Sequence, residues 1–341
     1  MSCSSPTIAI TLDRVSKVYP GGHVAVRDVT LNIQTGEVLV LVGTSGSGKT
    51  TTMKMINRLV EPTSGSIRVG GEDISKINPI QLRRSIGYVI QEIGLFPHMT
   101  VAKNIALVPS LKGWPKPRQN ERVAELLELV GLPPDQYAKK HPHQLSGGQK
   151  QRVGVARALA GDPDILLMDE PFGALDPITR GQLHEEFLKL QRRLRKTIVF
   201  VTHDMLEAIR LAERIAVMDG GVLEQVGTPR EVLAHPATRR VADLVGADAT
   251  LKLLGLCTVE QALEALGAES PDALGPVIRS GDSLKDALLT MVACGRASLP
   301  VVNVDGTLRG RVTLQGLQTA LAGQEKDRRP QGAARGQGTH A

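Results

Sequence analysis

Apolar and polar residues alternate in short segments along the first two thirds of the chain. Residues 8–18 and 24–33 alternate with a period near two, which predicts strands of an antiparallel sheet. Residues 37–42 contain a continuous apolar run followed by glycine, as expected of a buried parallel strand. Further strands are predicted within 84–91, at 164–169 and 197–201, and as a hairpin at 214–226.

Helical periodicity occupies the intervals between these strands. The predicted helices cover residues 49–59, 118–130, 147–160, 178–195 and 204–211. Strands that alternate with helices in this way predict an α/β fold with a largely parallel sheet.

The pattern changes after about residue 245, and we divide the chain accordingly. We expect a disordered N-terminus (1–7), a large domain (8–246), a helical linker (247–275), a small α+β unit (276–323) and a disordered polar tail (324–341). In the small unit, Ser283 caps a predicted amphipathic helix, and strands at 299–304 and 308–312 flank an Asp305-Gly306 turn.

Composition narrows the class of protein. The 341 residues include eight aromatic residues (four Phe, three Tyr, one Trp), which argues against a base-stacking nucleic-acid surface. Three cysteines without metal-ligand spacing favour a reducing compartment. No signal peptide and no apolar run of the roughly 20 residues that a spanning helix requires is present. We therefore expect that, at a membrane, another chain would cross it.

The segment Gly43–Thr50 matches the phosphate-loop pattern G-x-x-x-x-G-K-[ST]. Its glycines allow backbone N–H groups to surround phosphate oxygens at the positive end of the following helix. Lys49 is expected to reach the β- and γ-phosphates, and the Thr50 hydroxyl to ligate Mg²⁺.

A second apolar strand, residues 165–168, ends in the two acids Asp169 and Glu170. An acid at a strand end near a phosphate loop can hold Mg²⁺, which is the role expected of Asp169. Glu170, one residue further, is placed to polarise an attacking water as a general base.

The segment Leu145-Ser146-Gly147-Gly148-Gln149 resembles the signature motif of ABC ATPases. Other motifs of that family follow the expected order, and the resemblance covers residues 8–246. Tyr19 resembles the adenine-stacking aromatic, Gln91 the Q-loop glutamine, Ala174-Leu175-Asp176 the D-loop and His203 the switch histidine.

The resemblance implies a P-loop NTPase fold with a RecA-like core, an antiparallel β subdomain and an α-helical subdomain. It also implies an ATPase that uses ATP and Mg²⁺. The implied catalytic residues are Lys49, Glu170 and His203. The implied nucleotide contacts are Tyr19, Gly43, Thr44, Ser45, Gly46, Ser47, Gly48, Lys49, Thr50, Thr51, Gln91, Ser146, Gly147, Gly148, Gln149, Asp169 and Asp176. The implied Mg²⁺ ligands are Thr50, Gln91 and Asp169.

Ser146 and Gly148 lie at the start of a predicted helix and form a second anion site. One nucleotide does not need both anion sites from the same chain. In the family, two subunits pack head to tail, so that the signature of one closes on the γ-phosphate bound by the other. We therefore expect a dimer of this chain that is completed by ATP.

The segments at residues 94–101 and 105–109, with Trp114 after them, resemble importers of quaternary amines such as glycine betaine, carnitine or choline. The resemblance implies that Gly94–Val108 contacts a membrane permease through Leu95, Phe96 and Met99, at the cytoplasmic face of the inner membrane. It also implies an extracytoplasmic solute-binding protein. Ordinary core packing is the alternative explanation for these three side chains.

The small second unit resembles a single CBS motif. Such motifs work in pairs, so the implied partner is the same motif in a second copy of the chain. Thr313-Leu314-Gln315-Gly316 has glycine where many relatives carry an acid for a nucleotide ribose. A structural role in dimerisation and a regulatory role both remain open.

Three other functions are open. One is an importer for another small solute, of the amino-acid type. Another is a soluble ABC ATPase that acts on nucleic acid or the ribosome. Such proteins usually carry two cassettes or a long coiled coil, whereas fewer than about 100 residues separate Lys49 from Ser146, without sustained heptads. The last is an ATP-gated sensor whose output is the CBS-like unit.

Overall fold

The computed structural model describes residues 7–91, 94–173, 176–264 and 276–326. It divides into two compact units, Met1–Val245 and Gly246–Ala341, which are considered separately. Several predicted features lie outside the described residues. They are positions 1–6 of the N-terminus, Ala174 and Leu175 of the D-loop, positions 265–275 of the linker and positions 327–341 of the tail.

Two sheets form the framework of the first unit. Its strands are β1 (Ile8–Val18), β2 (Val24–Gln34), β3 (Val38–Val42), β4 (Ser64–Val69), β5 (Glu72–Asp73), β6 (Ile86–Val89), β7 (Ile165–Asp169), β8 (Thr197–Thr202), β9 (Arg214–Asp219) and β10 (Val222–Gly227). A four-stranded sheet has the order β2-β1-β4-β5, and its neighbours pair antiparallel. A six-stranded sheet has the order β10-β9-β3-β8-β7-β6.

The six-stranded sheet is parallel except for β10, which pairs antiparallel with β9 at one edge. Every residue of β3, β7 and β8 is buried, which explains why apolar residues predominate in these strands. The carboxyl ends of β3 and β7 lead directly into the phosphate loop and into Glu170. The sheet therefore places the phosphate loop and Glu170 at the same end, where its parallel strands have their carboxyl termini.

Helices cover the strands of the first unit. They are α1 (Lys49–Ile56), α2 (Pro79–Ser85), α3 (Val101–Leu111), α4 (Lys116–Leu129), α5 (Pro134–Tyr137), α6 (Gly147–Leu159), α7 (Pro177–Leu194), α8 (Met205–Leu211), α9 (Pro229–Ala234) and α10 (Arg239–Val245). Helices α3, α4 and α6 pack on one another and form a helical layer. The short strand predicted within 84–91 is β6, and it begins directly after α2, which continues to Ser85.

The second unit has its own core. Its elements are α11 (Ala249–Leu256), β11 (Ile278–Arg279), α12 (Leu284–Cys294), β12 (Ser298–Val302), β13 (Leu308–Thr313) and α13 (Leu314–Lys326). The three strands form a sheet of order β11-β12-β13. Leu254, Cys257 and Val259 are buried in the same apolar cluster as α12 and β12.

Two sequence expectations differ from this arrangement. The described part of the predicted linker packs into the apolar core of the second unit and is part of that unit. Glu264, at the end of this part, also forms an antiparallel bridge with Arg311. The tail expected from residue 324 begins inside α13, which continues to Lys326.

Candidate functional site: a nucleotide cavity at the end of the central sheet

The phosphate loop connects the buried strand β3 to helix α1. Lys49, the first residue of α1, is 5% exposed. Its Nζ donates to the carbonyl oxygens of Gly43 and Thr44 (2.9 and 2.7 Å) and to Ser47 Oγ (3.2 Å). Because all three acceptors belong to the phosphate loop, the loop surrounds the positively charged ammonium group of Lys49.

Two glycines of the loop have no room for a side chain. A Cβ atom on Gly43 would lie 2.0 Å from the carbonyl oxygen of Met218. On Gly48, at φ +96°, it would lie 2.5 Å from the carbonyl oxygen of Ala25. Both obstacles are backbone atoms of neighbouring strands, so the loop path requires glycine at both positions.

Thr50 and Asp169 meet directly after the phosphate loop, at the start of α1. The Thr50 hydroxyl donates to Asp169 Oδ1 at 2.9 Å. Asp169 is 4% exposed, and burial raises the pKa of its carboxyl above the usual value, although the Thr50 hydrogen bond opposes this shift. Burial also lowers the pKa of Lys49, while the charges of Glu170 and Asp169 oppose that change. A polyphosphate here would favour the charged form of Lys49.

Glu170 lies at the end of β7 in an uncommon backbone conformation. Its φ of +41° is in the left-handed region, which costs a residue with a side chain about 1–3 kcal/mol. The conformation is held by its N–H, which donates to the Val201 carbonyl oxygen at 3.0 Å. Glu170 Oε2 accepts from Gln91 Nε2 at 3.3 Å and lies 3.1 Å from His203 Nδ1. The three predicted residues therefore meet through one carboxylate oxygen.

These groups open into a cavity of about 540 Å³. Its lining comprises Tyr19, His23, Ala25, Ser45, Gly46, Ser47, Gly48, Lys49, Thr50, Thr51, Gln91, Glu170 and His203. The structure thus brings together most of the predicted nucleotide contacts, whereas Gly43 and Thr44 contribute backbone contacts behind Lys49. His23 and Ala25 were missed by sequence reasoning, because they belong to no recognised motif.

The signature residues do not line this cavity. Ser146 caps α6: its Oγ accepts from Gln149 N at 3.3 Å, and Gln149 Oε1 accepts from Ser146 N at 3.0 Å. Ser146 and Gly147 are exposed and Gly148 is partly exposed. Asp176 is also exposed, and it caps α7 by accepting from Thr179 N at 3.0 Å. The N-terminus of α6 is therefore exposed at the surface, and its signature residues are not part of the cavity lining.

The segment Gly94–Val108 consists of a partly exposed loop, residues 94–100, and the first part of α3, which begins at Val101. The buried Asn104 shapes the loop: its Nδ2 donates to the carbonyl oxygens of Phe96, Met99 and Thr100 at 3.0–3.2 Å. Its Oδ1 accepts from the backbone N–H of Phe96 at 2.8 Å. Sequence reasoning missed Asn104, since a single polar residue in a helix carries no motif.

The apolar side chains of this loop are partly exposed to solvent. Phe96 is 40% exposed, and Leu95 and Met99 are half-buried, so core packing does not account for Phe96. Leu95 also lines a groove of about 890 Å³ that reaches Gln91, Glu170 and His203. The loop is thus connected to the groups around the Glu170 carboxylate.

Two further observations concern membranes and metals. Within the described ranges, no helix is both long and apolar enough to span a bilayer. The same residues contain no cluster of three or more His, Cys, Asp or Glu side chains suited to a metal. Thr50 and Asp169 form an oxygen pair of the kind that Mg²⁺ uses when it binds through few protein ligands, water and substrate phosphates.

Comparison with known proteins places these features in a family. Residues 26–173 match the family model described as ABC transporter. The chain is 51% identical to the glycine betaine/carnitine/choline transport ATP-binding protein OpuCA of Bacillus subtilis, over 90% of this chain and 78% of that protein. It is 49% identical to the glycine betaine uptake system ATP-binding protein YehX of Escherichia coli, over 90% and 98% of the two chains.

A solved structure gives the same result for the fold. It is a dimeric, post-hydrolysis state of the ATP-binding cassette MJ0796 bound to ADP and Pi. It superposes with a TM-score of 0.59 at 35% identity, over 64% of this chain and 98% of that one.

Proposed function

Since the chain belongs to the ABC transporter family as an ATP-binding, ATP-hydrolysing subunit, we propose that it energises an importer of quaternary-amine osmoprotectants. The predicted family and the ABC ATPase fold of the large unit are thereby confirmed. The substrate class is supported by relatives named for glycine betaine, carnitine and choline transport. Within this class, the chain itself supplies energy and does not select the solute.

The position of Glu170 beside the phosphate loop is the observation that carries the proposed chemistry. Its carboxylate lines the same cavity as Lys49 and contacts Gln91 and His203. We assign Lys49 to the β- and γ-phosphates, Glu170 to polarising the attacking water, and His203 to the γ-phosphate. Gln91 reports the presence of that phosphate, and Tyr19 stacks on the adenine.

Mg²⁺ would be held by Thr50 and Asp169, with the amide oxygen of Gln91 as the further predicted ligand. The Gln91 Nε2 donates to Glu170, which leaves its Oε1 for such a role. When bound, the ion would neutralise charge that develops on the phosphate oxygens. Asp169 is buried and its pKa is raised by burial, so a cation beside it would favour the ionised carboxylate.

We further propose that the site is completed by a second copy of the chain. Ser146 and Gly148 lie at the N-terminus of α6, outside the cavity that Lys49 lines. Backbone N–H groups at a helix N-terminus attract anions. In a head-to-tail dimer, these groups of one copy would contact the γ-phosphate held by the other.

The permease contact is assigned to Gly94–Val108 at the cytoplasmic face of the membrane, with a solute-binding protein on the opposite side. The exposed ring of Phe96 and the framework made by Asn104 support this assignment. Replacing Phe96 with Ser should reduce co-purification with permease subunits. The matched control is Ile80→Ser, because Ile80 is 58% exposed on α2 and lies outside the loop.

The second unit is proposed to pair with its copy in the dimer and not to bind a nucleoside. Its described elements β11, α12, β12, β13 and α13 include the helix and the two strands that the sequence predicts for this unit. Thr313 Oγ1 donates to Glu264 Oε1 at 2.7 Å. A Cβ atom on Gly316 would lie 2.9 Å from the same oxygen. Glu264 therefore occupies the space into which a side chain at position 316 would extend.

The transport assignment is tested in cells that lack this chain. Restoring it should restore uptake of labelled glycine betaine, and the Glu170→Gln variant should not. Uptake of an amino acid instead would support the alternative importer. Purification without any multi-span membrane protein, together with turnover stimulated by DNA or ribosomes, would reject import.

A further inference from the structure

The turn that joins β9 to β10 lies against the phosphate loop. The carbonyl oxygen of Met218, near the end of β9, is the atom that a Cβ on Gly43 would meet at 2.0 Å. The backbone N–H of Gly221 donates to the carbonyl oxygen of Ser47 at 3.2 Å. The carbonyl oxygen of Gly221 accepts from the backbone N–H of Arg27, on β2, at 2.7 Å. The backbone of this turn is therefore fixed between the phosphate loop and β2.

Asp219, the last residue of β9, holds one side chain of the phosphate loop. Its Oδ1 accepts from the Thr44 hydroxyl at 3.2 Å. The backbone carbonyl oxygen of Thr44 in turn accepts from Lys49 Nζ at 2.7 Å. Neither Asp219 nor Thr44 lines the nucleotide cavity, whereas Lys49 does. Any influence of Asp219 on a bound nucleotide therefore passes through Thr44 and Lys49.

Arg240, on α10, holds the other oxygen of the Asp219 carboxylate. Its Nη1 lies 3.3 Å from Asp219 Oδ2 and 3.3 Å from Glu224 Oε1, on β10. One guanidinium group thus bridges both strands of the hairpin. Asp219 presents one oxygen to the phosphate loop and the other to α10, which is the last helix of the first unit.

We propose that Asp219 is a positioning residue for ATP binding and that Arg240 sets its orientation. Asp219 fixes Thr44, whose backbone helps to hold the Lys49 ammonium group where the phosphates bind. Groups that bind a ligand require neighbours that hold them within a fraction of an ångström of the productive geometry. Through this contact, α10 influences the affinity for ATP. The proposal concerns nucleotide affinity alone, so it does not depend on the transported solute.

Two substitutions at Asp219 separate its charge from its hydrogen bond. Asp219→Leu removes both, whereas Asp219→Asn removes the charge and keeps an acceptor oxygen for the Thr44 hydroxyl. Removing a negative charge beside a polyphosphate site should strengthen ATP binding in both variants. Titration calorimetry on the full chain should show weaker ATP binding for Asp219→Leu than for Asp219→Asn. The expected difference is about threefold to tenfold, the value of one net hydrogen bond.

Turnover distinguishes positioning of the bound nucleotide from a role in folding alone. Lys49 contacts the phosphates before and during the reaction, so its displacement should raise KM with little effect on kcat. The kcat values of Asp219→Leu and Asp219→Asn should agree within about twofold. Loss of folded protein would instead lower kcat in proportion and leave KM unchanged. Thermal unfolding, followed by circular dichroism, reports the folded fraction of each variant.

A double-variant cycle tests the contact with Thr44. Thr44→Val removes the hydroxyl with little change in shape and should weaken ATP binding relative to Thr44→Ser, which keeps a hydroxyl. The same comparison of Val with Ser should show no difference in the Asp219→Leu chain, because the acceptor is already absent. Thr44 is exposed and Asp219 is half-buried, so these variants are expected to fold.

Arg240→Gln tests the contact with α10. It should weaken ATP binding about twofold to fivefold in the unaltered chain, since exposed ion pairs contribute up to about 1 kcal/mol. It should have no effect in the Asp219→Leu chain. The matched control is Arg239→Gln, which removes the same charge from the exposed neighbouring position of α10 and should leave ATP affinity unchanged.

Equal ATP affinity of Asp219→Leu and Asp219→Asn would overturn the proposal and leave Asp219 as an anchor of the hairpin only. A difference between Thr44→Val and Thr44→Ser that persists in the Asp219→Leu chain would overturn the route through Thr44. Equal effects of Arg240→Gln in the unaltered and Asp219→Leu chains would reject the role of Arg240. Each of these results would leave the import assignment unaffected, because none of them measures solute uptake.

Discussion

Replacement of Glu170 by Gln tests the proposed chemistry most directly, because it changes the ability to take a proton and little else. Glu170 Oε2 accepts from Gln91 at 3.3 Å and lies 3.1 Å from His203 Nδ1. Glutamine has the same length and retains an acceptor oxygen, so it can keep the Gln91 contact. The left-handed backbone at residue 170 is equally available to both side chains.

The expected magnitude follows from this substitution. A positioned general base typically contributes about 10²–10⁴ in rate, which corresponds to about 3–5 kcal/mol of the barrier. ATP binding should not weaken, because the substitution removes a negative charge from a cavity that must accept a polyphosphate. The charge of Glu170 is close enough to Lys49 to affect the pKa of the lysine, so this removal acts at short range.

The assay measures phosphate release at saturating ATP and Mg²⁺, nucleotide affinity and dimer formation by size-exclusion chromatography with ATP. We expect turnover to fall at least about 100-fold, with ATP-bound dimers retained. Glu185→Gln is the matched control, because Glu185 is exposed on α7 and should have unaltered turnover. Turnover of the Glu170→Gln variant within a few-fold of the unaltered chain would remove Glu170 as the base.

Three further predictions concern the loop, the signature and the buried acid. Gly48→Ala places a methyl group 2.5 Å from the Ala25 carbonyl oxygen. It should therefore lower the free energy of unfolding by about 1–3 kcal/mol in urea titration and abolish ATP binding; an unchanged midpoint would contradict the close approach. Ser146→Ala should reduce turnover while ATP affinity of the isolated chain stays within a few-fold; an equal loss of affinity would contradict completion of the site by a second copy. In the nucleotide-free chain, burial raises the pKa of Asp169, so its ionisation destabilises the folded state increasingly as pH rises above the unfolded value of about 4. Asp169→Asn should therefore raise the unfolding temperature at pH 7 and have little effect near pH 4; equal shifts at both pH values would reject the assignment.

Local motifs made much of the fold and site predictable. The phosphate loop is read from eight consecutive residues, because the interactions that shape it are formed by neighbouring glycines and Lys49. The continuous aliphatic sequences of β3 and β7 predicted buried parallel strands, and both strands are buried throughout. These features depend on short-range geometry and on burial, which residue type reports directly.

Other elements had no local signal. Strand β4 begins Ser64-Gly65-Ser66, which lacks the alternation of a strand, and it is held by antiparallel pairing with β1. Asn104 has a polar side chain that would be expected at the surface, yet it is buried because the adjacent loop supplies its hydrogen-bond partners. In both cases tertiary context overrides the intrinsic preference of the residues.

The sequence by itself determined most of the chemical groups that line the cavity and the segments in which they lie, although it did not indicate His23 and Ala25. Only the tertiary structure decided which of them meet. Thr50 and Asp169 are 119 positions apart, and Gln91 and Glu170 are 79 apart, yet each pair is within hydrogen-bond distance. Their contact depends on the strand order β3-β8-β7-β6, because this order brings strand ends that are far apart in the sequence together at one end of the sheet. The reason is physical: strand order is set by the packing of the whole sheet, and no local segment carries that information.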